Sequence, residues 1–366
     1  MKFTTTRETL LKPLQLVLGV VERRQTLPIL SNVLLKATDD SLTITATDQE
    51  VEIVATVDTP IDEPGETTLP ARKLLDICKT SLEGAHLIFS IENDKARIRS
   101  ERSRFSLSTL PAEDFPETRQ FDVNASFKIP QSELKQLIDR TQFSMAQQDV
   151  RKYLNGMLIE VRDKMVISVA TDGHRLSYCK LDTTNISDKP CQIIIPRKGV
   201  QELSRLLEDT DSEISVQIGD NHISAEFDHL KFTSKLIEGK FPDYERLLPN
   251  KTEINLTADR ETLRQALVRT SILSNEKYRG IRFTLSSNKL SIQANNPEQE
   301  KAEEEIEVDY SGNKIEIGFN VNYLLDALSA IDEDKVQILM VDQNSSCLLQ
   351  QPGSADCKYI IMPMRL

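Results

Sequence analysis

The sequence predicts an α+β protein built from three copies of one domain, and two sets of marks repeated at matching intervals predict it. Phe105, Phe232 and Tyr359 stand in similar segments, 103–107, 230–234 and 357–361, and are 127 residues apart both times (232 − 105 and 359 − 232). Ala46-Thr47-Asp48, Ala170-Thr171-Asp172 and Ala294-Asn295-Asn296 follow one another at 124 (170 − 46 and 294 − 170). Solenoid repeats run about 20–50 residues, so a period this long describes a whole domain. Helical and strand patterns mix inside each copy.

Each copy opens with a short strand and an amphipathic helix. With Leu10, Leu134 and Leu263 aligned, the positions three, four and seven later hold Pro13, Leu137 and Ala266, then Leu14, Ile138 and Leu267, then Val17, Thr141 and Thr270. That is the stripe of a helix buried on one face. Pro13 is the odd member and fits a kink or a short first turn. Alternation in 41–46, 166–170 and 290–294 predicts half-buried strands. A second helix is expected to start near Pro70, Pro196 and Phe319, with proline suited to a first helical position. Proline-bearing linkers at 111–116 and 241–246 are equivalent (241 − 115 = 126) and resist both helix and central strand. Boundaries follow near 125 and 253, giving domains 1–125, 126–253 and 254–366.

Composition agrees. A chain of 366 residues, 39% hydrophobic and 28% charged with 12 Gly, reads as two or three globular domains with little disorder. No apolar run approaches the ~18 residues of a membrane span, and Met1-Lys2-Phe3-Thr4 opens a polar strand instead of a signal peptide, so a cytoplasmic protein is expected. The five cysteines, Cys78, Cys179, Cys191, Cys347 and Cys357, are odd in number and lack C-x-x-C spacing. Reduced buried thiols are therefore expected over disulfides or zinc ligands. A net charge of −12 argues against a nucleic-acid partner unless the basic residues gather on one surface.

Nothing in the chain reads as catalytic. Phosphate-loop, dinucleotide, zinc-protease and nucleophile-elbow motifs are all missing, and His86, His174, His222 and His229 never fall at metal-ligand spacing. No cofactor and no metal are expected. Asp172 and His174, in Thr171-Asp172-Gly173-His174-Arg175, could form an acid–base pair. Their equivalents, Asp48-Gln49-Glu50 and Asn296-Pro297-Glu298, favour a repeated polar turn. Basic residues cluster in or beside the proposed helices, among them Arg23, Arg24, Arg72, Lys73, Lys79, Lys152, Lys198 and Arg205. Lys12, Lys135, Arg140, Arg264 and Arg269 point away from the apolar stripe, which favours one shared polyanionic ligand. Acid concentrates in 298–309, either a solvated edge or a docking edge for the Arg102-Ser103-Arg104 strand of another copy.

Long strings spread over the chain resemble one family. Leu27-Pro28-Ile29-Leu30, the 104–111 string Arg-Phe-Ser-Leu-Ser-Thr-Leu-Pro, Ala170-Thr171-Asp172-Gly173-His174-Arg175-Leu176, Phe241-Pro242-Asp243-Tyr244, Leu273-Ser274-Asn275-Glu276-Lys277 and Met362-Pro363-Met364-Arg365-Leu366 are similar to the bacterial DNA polymerase III beta subunits, the replication sliding clamps. The resemblance runs from Met1 to Leu366. It implies three two-layer clamp domains per chain, helices inside and sheets outside, and a head-to-tail homodimer whose six domains close around double-stranded DNA. The implied role is a non-catalytic processivity factor.

Residues carried over by the resemblance fall into three sets. DNA contacts are implied at Arg24, Arg72, Gln148, Lys152 and Tyr153; Lys152 departs from the expected aromatic residue, which bears on stacking more than on binding. A pocket for short peptides of Gln-Leu-x-Leu-Phe type is implied at Leu154, Thr171, Gly173, His174, Arg175, Leu176, Pro242, Arg246, Leu247, Ser346, Ile360, Met362, Pro363 and Met364. At the dimer interface, Phe105 and Leu107 would meet Ile272 and Leu273, with Lys73, Arg102 and Arg104 facing Glu298, Glu300, Glu303 and Glu304. Implied partners are the replicative polymerase catalytic subunit, the clamp loader, other polymerases, and mismatch-repair or ligase proteins. An open DNA-binding scaffold and an enzyme acting through Asp172 and His174 are the alternatives.

Overall fold

The computed structural model describes residues 1–21, 27–92, 94–116, 120–183, 190–248 and 252–365. The first repeat holds β1 (Lys2–Thr6), α1 (Arg7–Val17), β2 (Asn32–Thr38), β3 (Ser41–Thr47), β4 (Val51–Asp58), the short β5 (Ile61–Glu63), β6 (Gly65–Pro70), α2 (Ala71–Thr80), β7 (His86–Glu92), β8 (Lys95–Ser100) and β9 (Ser103–Ser108). The second holds β10 (Ala125–Pro130), α3 (Gln131–Asp139), β11 (Gly156–Arg162), β12 (Met165–Thr171), β13 (Arg175–Asp182), β14 (Cys191–Pro196), α4 (Arg197–Leu206), β15 (Glu213–Ile218), β16 (His222–Phe227) and β17 (Leu230–Lys235). The third holds β18 (Ile254–Asp259), α5 (Arg260–Ser271), β19 (Gly280–Ser286), β20 (Lys289–Asn295), β21 (Lys301–Glu307), β22 (Ile315–Asn320), α6 (Val321–Ser329), β23 (Lys335–Met340), β24 (Cys347–Gln350) and β25 (Cys357–Ile361). One order of strand, helix, four strands, helix and three strands thus occurs three times, with β5 as the single addition.

Local chemistry starts these helices where the pattern predicts. The Thr6 hydroxyl accepts from the Thr9 amide at 3.2 Å, and the Asp259 carboxylate accepts from the Thr262 amide at 2.7 Å, each satisfying a free N–H at a helix start. The predicted stripes are the buried faces, Leu10, Leu14 and Val17 in α1 and Leu263, Ala266, Leu267 and Thr270 in α5. Pro13 breaks nothing, for α1 continues through it to Val17. Pro70 and Pro196 sit one place earlier than expected, as the last residues of β6 and β14, where each still pairs across the sheet with Asn32 and Gly156.

By packing, the chain forms two compact units, between which the second repeat is divided. The described part of one comprises Met1–Ser132 with Lys198–Leu236; the other comprises Glu133–Thr184, Pro190–Arg197 and Ile237–Leu366. The first contains a five-stranded sheet, β5-β1-β7-β8-β9, and an eight-stranded sheet, β10-β15-β16-β17-β4-β3-β2-β6. Its larger sheet is a fusion, because β17 pairs antiparallel with β4 and sets Phe232 opposite Ile53. The second unit repeats the device. Its eight-stranded sheet, β14-β11-β12-β13-β25-β24-β23-β18, forms where β25 pairs with β13 and sets Tyr359 opposite Ser177, and its four-stranded sheet is β21-β20-β19-β22. Two repeats thereby share each large sheet.

Aromatic pairs fill the cores. Phe3 stacks on Phe89 with centroids 4.5 Å apart in the first unit, and Phe283 meets Phe319 edge-on at 5.5 Å in the second. Cys179 and Cys357, opposite one another across β13 and β25, are joined as a disulfide, which corrects the expectation of free thiols throughout. Their separation of 178 residues hides the pair from any spacing rule. Cys78, Cys191 and Cys347 are free, and burial pushes the Cys78 and Cys347 thiols up to about 12.

Phe319 is fully buried, so Phe319→Ala should destabilise its unit by about 3–5 kcal/mol. Leu82→Ala, at a position 71% exposed, should change stability by less than ~0.5 kcal/mol. Denaturant titration followed by circular dichroism measures both.

Candidate functional site

The string that most suggested catalysis is a turn-former. Between β12 and β13, the Asp172 carboxylate accepts from the His174 amide at 2.9 Å and the Arg175 amide at 3.0 Å, while the Thr171 hydroxyl accepts from the Gly173 amide at 3.1 Å. Gly173 has φ +88°, a left-handed conformation that costs glycine little. The first repeat builds the same turn: Asp48 accepts from the Glu50 and Val51 amides at 2.9 and 2.7 Å, and Thr47 from the Gln49 amide at 3.0 Å. A carboxylate used this way shapes backbone. It is not poised to take a proton from His174.

Arg175 is committed to its own chain. Its guanidinium donates to Asp172 at 3.1 Å, to Asp326 of α6 at 2.5 Å and to the Phe143 carbonyl at 2.6 Å, and its plane lies 4.5 Å from the Tyr323 ring centroid. With the side chain 12% exposed, Arg175 ties α6 to the turn that presents His174.

A strap at 237–248 forms the next wall. The Ile237 amide donates to the Ile194 carbonyl at 2.8 Å, and the buried Phe241 and Tyr244 join a cluster with Leu176, Tyr178, Leu348 and Ile360. The Tyr244 hydroxyl donates to the buried Glu160 carboxylate at 2.5 Å, Arg162 approaches that carboxylate at 3.4 Å, and Arg162 also pairs with Glu245. Burial, followed by the bond to Glu160, holds the Tyr244 hydroxyl protonated far above the ordinary phenol range. This lock sets Pro242, Arg246 and Leu247 in place around Tyr244; Arg246 is exposed, and Leu247 is 42% exposed. Leu158, Glu160, Pro242 and Tyr244 help line a cavity of about 180 Å³.

The last residues complete the region. Leu176 pairs with Ile360 across β13 and β25, the Met362 amide donates to the His174 carbonyl at 2.9 Å, and the Met364 amide donates to the Gly318 carbonyl at 2.8 Å. The tail therefore reaches from the Asp172 turn to the edge of β22. Met362 is 41% exposed, Pro363, Met364 and Ser346 are half-buried, and Leu154 is buried. All fourteen implied pocket residues belong to the second unit.

The implied DNA contacts divide differently. Gln148 and Lys152 are exposed and Tyr153 half-buried on a loop that Asp149 organises. The Asp149 amide donates to Asn155 at 2.8 Å, and its carboxylate accepts from the Arg151 amide and guanidinium, which lowers it to about 2 and keeps it charged. Arg72 on α2 is exposed and donates to the Val21 carbonyl at 3.2 Å. Arg23 and Arg24 lie outside the described residues. The expected cationic faces are largely neutralised: Lys12 pairs with Glu208, Lys135 with Asp139, Arg140 with Asp332, Arg264 with Glu261 and Arg269 with Glu304.

Among the described residues, β9 and β21 each end a sheet with no strand beyond. Phe105 and Leu107 are half-buried on β9, Arg104 on the same strand and Arg102 just before it are exposed, and so is Lys73 on α2. In the other unit Ile272, just after α5, is 74% exposed and Leu273 half-buried. Glu304 already pairs with Arg269, Glu303 accepts from Gln293 at 2.9 Å, and Glu300 from Asn296 at 2.6 Å, so the acidic edge is partly occupied by its own chain; Glu298 is exposed. Sequence reasoning did not single out Glu160, Arg162, Asp326 or Tyr323, whose roles depend on contacts between distant segments.

Tyr244→Phe should cost about 1–3 kcal/mol, because a buried carboxylate oxygen loses its donor. Adding Glu160→Gln should recover part of that loss, and denaturant titration of the two single variants and the double variant measures the coupling.

Comparisons with known proteins bear on this geometry. Sequence models of the DNA polymerase III beta subunit match in succession: the N-terminal domain at residues 1–119, the central domain at 128–243 and the C-terminal domain at 245–365. The beta sliding clamp of Pseudomonas aeruginosa is 54% identical over 367 residues, and that of Escherichia coli 50% identical over 367 residues, each match covering 100% of both chains. The crystal structure of the DNA polymerase III subunit beta from Pseudomonas aeruginosa superposes with a TM-score of 0.98 over 100% of both chains. With all three domains matched in order and no catalytic arrangement among the described residues, the chain belongs to the DNA polymerase III beta subunit family of sliding clamps.

Proposed function

We propose that the protein is a processivity clamp: a head-to-tail homodimer of six domains, 1–125, 126–253 and 254–366 from each chain, that encircles duplex DNA without reading its sequence. The strand inventory carries this reading. β9, β17 and β25 are equivalent, and so are β4, β13 and β21; β17 joins β4 and β25 joins β13, which leaves β9 and β21 over. A second copy supplies the missing partner for each, and two copies satisfy every edge of this kind. Such a heterologous contact closes a ring when its rotation fits.

The repeat also gives the register. Ala46 lies opposite Ile53, Ala170 opposite Ser177 and Ala294 opposite Ala302, so Ile53, Ser177 and Ala302 are equivalent. Phe232 faces Ile53 and Tyr359 faces Ser177, which puts Phe105 opposite Ala302 and Arg104 opposite Glu303 of the other chain. The exposed Ile272 supports an apolar contact near the same junction.

Function then needs no reacting group. Cations such as Arg24, Arg72 and Lys152, with Gln148 and Tyr153 beside them, would meet phosphates, and attraction to phosphate is indifferent to base. An overall charge of −12 keeps unassisted attraction weak. The pocket formed from the Asp172 turn, the strap and the tail would take short apolar motifs of the replicative polymerase, the clamp loader, other polymerases and repair or ligase proteins in the cytoplasm.

Ile272→Ala with Leu273→Ala should yield monomers in sedimentation, since burial of each such side chain is worth ~1.5–3 kcal/mol while an exposed ion pair gives ~0–1. Glu303→Arg should weaken the dimer, and Arg104→Glu in the same chain should restore part of it. The whole reading is tested by loading the protein onto nicked circular DNA and linearising the DNA. Retention on the circle with release from the ends is expected, whereas equal retention on both would point to an open scaffold.

A further inference from the structure

The tail borders a second cavity, which shares Pro363 and Met364 with the implied peptide pocket. It has a volume of about 460 Å³, and Arg282, Glu316, Gln343, Asn344, Met364 and Arg365 help to line it. Its floor is Gly318, which lies opposite Arg282 of β19 on one side and bridges to Met364 of the tail on the other. Residues directly opposite in a sheet share a face, so Arg282 and Met364 flank a position without a side chain. The tail takes the edge of β22 at the buried Gly318, and the cavity opens beside this bridge between Arg282 and Arg365.

The charges around the cavity are unbalanced. Glu316, two residues from Gly318 on the same strand and thus on the same face, pairs with Lys314 at 3.5 Å. Arg282 and Arg365 are both exposed, and among the described residues neither has a carboxylate partner. What sets these two apart from other arginines without a carboxylate partner, such as Arg97 or Arg279, is that both line one cavity beside the tail. Two uncommitted guanidinium groups beside two side-chain amides present a dense set of donors. Guanidinium binds carboxylate through paired hydrogen bonds.

We infer that this cavity is a selectivity site for acidic side chains flanking the apolar motif of a bound peptide, with Arg282 and Arg365 as the groups that read them. The inference rests on the tail-bordered pocket being the peptide site. It adds a reason why one apolar motif would be preferred over another: the motif fills the pocket, and its acidic flank reaches the arginines.

Calorimetry tests this with the full-length protein and synthetic Gln-Leu-x-Leu-Phe peptides that carry two aspartates or two asparagines at either end. Aspartate at one end should tighten binding by about 3- to 10-fold over asparagine, in line with two exposed ion pairs. The gain should shrink as salt rises from about 50 to about 300 mM and the screening length falls. Arg282→Gln with Arg365→Gln should abolish the gain and leave the asparagine peptides unaffected. Equal affinities for aspartate and asparagine peptides, or a gain that survives in the double variant, would overturn the inference and leave the pocket standing. Failure of every peptide to bind the unaltered protein would overturn the pocket and this inference with it. Weakened DNA binding in the double variant with no change in peptide preference would assign the arginines to phosphate and also overturn it.

Discussion

Main-chain pairing between repeats is the constraint on which the rest of this structure depends. An edge strand exposes unpaired N–H and C=O groups and invites another strand. Each repeat carries two edges of the kind that join repeats, β4 and β9 in the first with β13 and β17, then β21 and β25, as their equivalents, and the chain satisfies four of these six by joining β17 to β4 and β25 to β13. Those seams turn half-sheets into the two eight-stranded sheets and bring residues more than 170 positions apart into register, as with Tyr359 and Ser177. They also carry Ile360 to Leu176 and the tail to His174, which assembles the proposed peptide site. Of the edges of this kind, β9 and β21 are left unjoined within the chain.

Groups that look reactive in the sequence are spent on architecture. Asp172 closes a turn that Asp48 closes identically in another repeat, and Arg175 is held by two carboxylates, a carbonyl and an aromatic face. Glu160 is buried, with Tyr244 and Arg162 supplying its donors. A buried charge is tolerated when its hydrogen bonds are met, and here it anchors a strap that would otherwise be a loose connection. The protein consequently acts by offering surfaces whose shapes are rigidly held.

Electrostatics follows the same division. Most helical cations predicted to face a polyanion are partnered by neighbouring carboxylates, which lowers the field they project. Weak, even attraction suits a protein that must move along DNA, because tight local contacts would arrest it.

Much was determined by the sequence alone. The threefold repeat, the buried stripes of α1 and α5, the strands after them and the repeated turn at Asp48 and Asp172 all follow from short-range periodicity and from side chains that bond to nearby amides. Similarity of long strings was enough to point to the family. What only the tertiary structure decided involves partners far apart in the chain: that strands of successive repeats join into shared sheets, that Cys179 meets Cys357, and that Tyr244 locks onto Glu160. The same holds for Arg175, which meets Asp326 of α6 across 151 positions of the chain. Spacing records helix and strand periods because they repeat over a few residues; contacts across seams depend on which edges pair, and no local pattern encodes that choice.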